Sequence, residues 1–292
     1  MTSASERRRG ARPRWPAPAA AADRLRPNVG RYALLLLLWM LGSLLLAFIV
    51  APLLGLVSAQ PIGSLRRVAA LADVRDAIGL SLGCAFAAAL LAGVFGTPLA
   101  YLLARARFPG RDFVAAIVDL PLAVPHTVAG IALLYVFGRR GFIGGPAGRW
   151  FGLRFWGTAA GIVAAMLFVA APYAVNAARL GFEAIDPRLE RVARTLGAGP
   201  WRVLLRITLP LARRSIATGL TLTFARAISE FAAVAMLAYY PMTAPVQIYE
   251  MFLRYGLSDA AAAAVLLLAV SLGLFVLFRR LAGAGDRIGP VR

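Results

Sequence analysis

Six apolar runs, at about Ala33–Val57, Ala77–Ala104, Phe113–Phe137, Gly157–Ala177, Ser215–Ala238 and Ala260–Phe278, come close to the roughly 20 residues a helix needs to cross a hydrocarbon core. No other feature constrains the fold as strongly. Inside lipid every backbone N–H and C=O must find a partner within the chain, so only helices and closed barrels can span. The two-residue alternation of a membrane barrel is missing, and the sequence therefore predicts an all-α, polytopic bundle of six transmembrane helices. A content of 60% hydrophobic and 15% charged residues lies outside the range of soluble domains. The predicted organisation is a basic, unpacked tail over residues 1–30 and a transmembrane domain over 31–292.

A formal charge of +19 raises the question of nucleic acid, and the placement of the charge answers it. If the N-terminus is cytoplasmic, the tail, the 104–112 loop, the 178–214 loop and the C-terminal tail hold eight, three, eight and four arginines. The opposite connections hold three, four and one. That is the positive-inside bias of a multi-pass protein with both ends in the cytoplasm, and no nucleic-acid partner is expected. The stretch "ERRRGARPRWPAPAAAADRLRP" has no apolar period and reads as a solvated tail, with an arginine-rich organelle leader as the alternative. The first apolar run exceeds the roughly 7–15 residues of a signal-peptide core, so it is read as a retained helix.

Several chemistries are excluded. All 32 basic residues are arginine, which removes the P-loop lysine and Schiff-base chemistry. One histidine, His126, and one cysteine, Cys84, leave no two-histidine HExxH zinc site, no multi-cysteine metal site and no disulfide framework. The GxSxG elbow is absent as well. No catalytic residue, bound cofactor or metal is expected in this chain. A membrane enzyme built on Asp119 and Glu230 would need two different helices to bring them together, and a scaffold would need only the bundle and its basic surface.

The loop at about 178–214 is the longest of the inside connections. Asp186 before Pro187 predicts a helix N-cap with proline in the first turn, Glu190 falls in that turn, and Gly197 or Gly199 can end the helix in a left-handed conformation. Pro200 can open a second short helix. There Trp201, Leu204, Leu205 and Thr208 share one face and Arg202 and Arg206 another. The expected element is two short helices around a bend, apolar toward the bundle and cationic toward the cytoplasm. It suits a docking knob, or a helix lying on the anionic inner leaflet.

The same segment, "ARTLGAGPWRVLLRITLP", resembles the EAA loop of ABC-importer permeases, E-A-A-x3-G-x9-I-x-L-P. Ala193, Gly197, Ile207, Leu209 and Pro210 match it. Arg191 and Val192 depart from its usual glutamate and alanine, with Glu190 adjacent, so no salt-bridge role is carried to position 191. Three further stretches, "GTPLAYLLARARFPGRD", "DLPLAVPHTVAGIALL" and "ARAISEFAAVAMLAYYPMTAPVQIYEMFLRYGL", resemble the molybdate and tungstate permeases, with the sulfate permeases as near relatives. The resemblance covers about residues 77–280. It implies a type I ABC-importer permease bundle in a prokaryotic inner membrane, moving tungstate- or molybdate-type oxyanions, with sulfate or another oxyanion as the alternative. It further implies that two copies of the chain assemble with two ATPase subunits, which use ATP and Mg, and with an extracellular oxyanion-binding protein. The EAA loop, with Glu190 in its first turn, would be the ATPase-coupling element.

A tetrahedral dianion crossing a low-dielectric layer needs hydrogen-bond donors and helix N-termini along its path. Pro121 and Pro125 should disturb the third span near His126 and Thr127, which makes a pathway segment or a packing kink. Arg226 and Glu230 stand at i and i+4 in the fifth span, with Thr223 and Ser229 as nearby donors. They could attract and release the anion, or lock the helix as a structural pair. "PMTAPVQIYEMFLRYG" should form an interfacial helix carrying Tyr249, Phe252 and Tyr255.

Overall fold

The computed structural model describes residues 29–283. The tail expected over residues 1–30 lies, but for its last two residues, outside the described part. Two compact units are distinguished, Met1–Gly55 and Leu56–Arg292. Most of the first helix, α1 (Val29–Ser58), belongs to the former, and its side chains from Tyr32 to Ile49 are exposed.

The second unit is also helical, and the described residues contain no strand. In order it has α2 (Ile62–Ala70), α3 (Ala72–Arg105), α4 (Arg111–Ala123), α5 (His126–Phe137), α6 (Gly144–Phe151) and α7 (Ala159–Glu183). There follow α8 (Pro187–Thr195), α9 (Pro200–Val203), a π-helical turn (Leu204–Thr208), α10 (Leu209–Ile228), α11 (Ala232–Leu237), α12 (Ala244–Tyr255) and α13 (Leu257–Gly283).

The all-α fold is as expected, but the spans are less uniform than six single helices. Four helices are long and apolar enough to cross: Tyr32–Ser58, Ala72–Arg105, Ala159–Glu183 and Leu257–Arg280. The third predicted span is two helices, α4 and α5, bent by 114°. Pro125, which has no N–H to give, stands at the N-cap of α5, whereas Pro121 is accommodated inside α4. The fifth is also interrupted, between Ile228 and Ala232. Its polar side chains keep it from being a plain apolar span.

α3, α7 and α10 form the centre. Their contact faces are small: Ala85, Ala88 and Ala89 of α3 and Ala165 and Ala170 of α7 are buried around Met166 and Phe224. Without a hydrophobic drive between helices in lipid, close backbone approach supplies the packing energy. Gly219 shows how close that approach is, since a Cβ there would lie 2.9 Å from Ala177 Cβ and 3.2 Å from Ala174 Cα. A second cluster, with Leu103, Phe182 and Ala212, continues the same three helices toward the 187–208 segment.

Candidate functional site

The 187–208 segment is built as the sequence predicts at its ends and differently between them. Asp186 accepts a hydrogen bond from the Arg188 N–H at 2.8 Å, capping α8. At the other end Gly197 takes φ +85°. Its N–H donates to the Arg194 carbonyl and the Ala198 N–H to that of Ala193, both at 3.0 Å. This is a Schellman ending, and it gives the EAA-like alanine and glycine their roles.

The second helix does not stop before the fifth span. It runs from Pro200 through the π turn into α10. Pro210 explains the widened turn, because it removes the N–H that would reach the Arg206 carbonyl and crowds that carbonyl. Ile207 and Leu209 are partly buried here, and Pro210 is exposed.

The expected facing holds in part: Arg202 and Arg206 are exposed, Thr208 is buried and Leu204 partly so, but Trp201 and Leu205 face out. Leu189, Val192 and Leu196, spaced along α8, are all exposed, Leu196 by 83% and Trp201 by 74%; Leu205 is exposed as well. Only Thr208 of the predicted inward face is fully buried, with Val203 beside it. The π turn shifts the register of residues ahead of it and so turns Trp201 outward.

The residue that points inward is an acid. Glu190 is 5% exposed, and its carboxylate accepts from Arg105 Nε at 3.0 Å and from Thr208 Oγ1 at 3.1 Å. Arg194 lies 3.8 Å away on the outer side. Arg105, the last residue of α3, also donates to the Ile185 carbonyl at 2.9 Å. A buried carboxylate is tolerated when it is paired and hydrogen-bonded, and Arg105 and Thr208 do both through Oε1 while Arg194 stands near Oε2. Sequence reasoning found Glu190 and placed Thr208 on the inward face, but missed Arg105 and the contacts that join all three, across 85 and 18 residues. The only hint was that Glu190 is the one acid among the arginines of residues 187–208.

A second polar cluster joins the two interrupted helices. Arg226 Nη2 donates to Glu230 Oε2 at 2.9 Å and lies 2.8 Å from His126 Nε2. Glu230, 1% exposed, accepts from the Ala233 N–H at 2.9 Å and so caps α11. His126 Nδ1 stands 3.8 Å from the same carboxylate. Ser229 accepts from Arg226 Nη1 at 3.4 Å.

The predicted pair is therefore a triad, and the sequence did not bring His126 into it. Pro125 and Thr127 flank His126 and are exposed. Thr223 corrects the expectation of a free donor, since its hydroxyl is buried and donates to the Gly219 carbonyl at 2.9 Å. Asp119 and Glu230 do not form a carboxylate pair: Asp119 accepts from Asn176 at 2.6 Å, and Glu230 is held by Arg226.

At the opposite end of α3 from Arg105, a cleft of about 840 Å³ lies between α2, α3, α12 and α13, lined by Arg67, Asp73, Asp76, Tyr240, Glu250 and Asp259 among others. Arg67 bridges to Asp259 at 2.6 Å. Ser81 of α3 accepts from the Ala244 N–H at 2.7 Å, tying α3 to the first residue of α12. The Tyr239 hydroxyl donates to Glu250, which Arg254 also holds. That hydrogen bond to a carboxylate pushes the Tyr239 phenol up to about 12 and, with Arg254, draws Glu250 below its ordinary range. Tyr249, Phe252 and Tyr255 of α12 are exposed, as an interfacial helix requires.

Comparison with known proteins gives a consistent result. Residues 96–282 match the family described as the binding-protein-dependent transport system inner membrane component. The chain is 46% identical over 245 residues to the molybdate/tungstate transport system permease protein of Thermococcus kodakarensis, covering 83% of this chain and 94% of the relative. It is 42% identical over 256 residues to the protein of the same description from Pyrococcus abyssi, covering 87% and 98%. Among solved structures, a chain of a bacterial ABC transporter involved in the import of the acidic polysaccharide alginate superposes with a TM-score of 0.70. It covers 88% of this chain and 98% of that one at 19% identity, a likeness of fold alone.

Proposed function

The chain belongs to the family of inner membrane components of binding-protein-dependent transport systems, and we propose that it is the permease subunit of an ATP-driven importer for molybdate- and tungstate-type oxyanions. Family membership makes it a multi-pass inner-membrane transport component rather than an enzyme. The substrate class is supported by relatives more than 40% identical over most of their length that are described as molybdate/tungstate permeases.

The observation that carries the coupling role is that Leu189, Val192, Leu196 and Trp201 are all left exposed on the 187–208 segment, while the one acid of that segment, Glu190, is turned inward. Exposed apolar side chains on two short helices around a bend, the first capped by Asp186, suit a cleft in a separate ATPase subunit. The ATPase would bind ATP and Mg, this chain neither. In this reading the loop, both termini and the arginine-rich connections face the cytoplasm, and the cleft at the far end of α3 faces outward to the binding protein. Two copies of the chain form the pathway. Gly79 and Gly83, which meet nothing within 4 Å, leave a close-packing face on α3 for the second copy.

The path itself runs past the broken helices. The first turn of α5 has no side-chain cap, so its N–H groups, with Thr127, offer donors to a dianion, whereas the Ser229 hydroxyl already donates to the Arg226 carbonyl at 2.9 Å. Arg226 supplies the positive charge, and Glu230 and His126 hold its guanidinium so that the anion meets a shared cation rather than a trap. Proteoliposomes holding the chain, its ATPase and its binding protein test this reading by ATP-dependent uptake of labelled tungstate. Uptake suppressed by molybdate and untouched by sulfate is expected. Sulfate uptake in its place would overturn the substrate, and a complex that moves no anion would overturn the importer.

A further inference from the structure

We propose that Arg105 and Glu190 lock the coupling loop to α3, making that one helix the rod that links ATPase engagement to the outer cleft. The inference rests on the coupling role assigned above and adds the part of the bundle that receives the motion.

A loop helix flanked by two flexible connections could move without moving the bundle. This one cannot. Glu190 holds the end of α3 through Arg105, and it holds the π turn at the head of α10 through Thr208. Arg105 in turn grips the carbonyl of Ile185, just ahead of α8. Both side chains of the ion pair are largely buried, at 15% and 7% exposure. Separating them inside the protein would strand a charge on each side, so a displacement of α8 is passed on rather than absorbed.

α3 is well suited to receive it. It is one continuous helix of 34 residues that accommodates Pro98 without a break, on the order of 50 Å at 1.5 Å per residue. Toward its far end, more than two turns in from Ala72, it is tied to α12 by the buried hydrogen bond from the Ala244 N–H to Ser81. Asp73 and Asp76, beyond Ser81, line the outer cleft with Glu250 of α12. Rigid elements joined by buried polar contacts at both ends are the physical means by which two distant sites bias each other. Arg105 and Ser81 are positioning residues in this scheme, since neither touches the anion or the nucleotide.

The test is the stimulation of ATP hydrolysis by tungstate-loaded binding protein, measured in the reconstituted complex against the basal rate. Arg105→Gln should leave basal hydrolysis within about twofold and bring stimulation close to none, with Arg105→Lys recovering part of it. Ser81→Ala, remote from the loop, should lower stimulation as well. An assembled Arg105→Gln complex with wild-type stimulation would overturn the proposal. So would Arg105→Gln losing the ATPase altogether while Ser81→Ala keeps full stimulation, since the ion pair would then only shape the docking face. Trp201→Asp separates this from the underlying reading: if the ATPase still binds and responds in that variant, the coupling surface itself is misplaced, whatever Arg105 does.

Discussion

Arg226 reaches His126 Nε2 at 2.8 Å across the gap between two interrupted helices, while the same guanidinium nitrogen holds Glu230 at 2.9 Å. An arginine has only protons to give, so that ring nitrogen must accept. The two breaks in the bundle are therefore joined side chain to side chain, through Arg226 and His126.

Removing the acid alone leaves a guanidinium at membrane depth, where an arginine costs about 2.5–3.5 kcal/mol by insertion scales. Glu230→Ala should lower stability by about 3–5 kcal/mol. Arg226→Leu combined with Glu230→Ala should recover at least half of that. Unfolding of the detergent-solubilised protein, followed for the two single variants and the double, measures the difference.

Gly219 sits at a close approach of α7 and α10. Gly219→Leu would drive a side chain into Ala174 and Ala177 and should cost at least about 1–3 kcal/mol, the usual range for overpacking. A fall in the thermal midpoint is expected. An unchanged midpoint would mean the two helices separate with little loss.

Gly197 has open space around it, so a side chain there meets only the backbone penalty of a left-handed residue, about 1–2 kcal/mol. Gly197→Val should loosen the end of α8 and reduce the ATPase recovered with the purified chain, while membrane insertion stays normal. Recovery equal to wild type would show that the Schellman ending is dispensable for docking.

The outer network should respond to pH at both extremes. Tyr239 has its phenol raised to about 12 from about 10, so its contribution is complete below the ordinary phenol value and is lost as pH rises through about 12. Glu250 is lowered; its contribution holds above the ordinary carboxylate value and disappears as pH falls through the depressed one. Ultraviolet difference titration should therefore find one tyrosine ionising last, and Glu250→Gln should bring it back toward the ordinary range.

Much of this was legible in the chain. Apolar runs gave helices, Asp186 and Pro187 gave the start of α8, Gly197 its end, and the i, i+4 spacing gave Arg226 with Glu230. Local rules reach that far because they concern neighbours within a turn. The links Arg105–Glu190, His126–Arg226 and Ser81–Ala244 join residues from 85 to 163 positions apart, and no periodicity reports them. The facing of Trp201 was misjudged for a subtler reason: an ideal helix was projected through Pro210, and the turn before that proline is not ideal.

That wider turn has a geometric meaning of its own. Leu204–Thr208 stores an offset, a fixed angular setting between what the loop displays and what α10 inserts into the bundle. Deleting a single residue there would re-index everything upstream by about 100°, one position on a helix of 3.6 residues per turn. Trp201 would swing toward the bundle and Glu190 would be carried away from Arg105. Five residues thus act as the dial that keeps two faces of one continuous helix in phase with different neighbours.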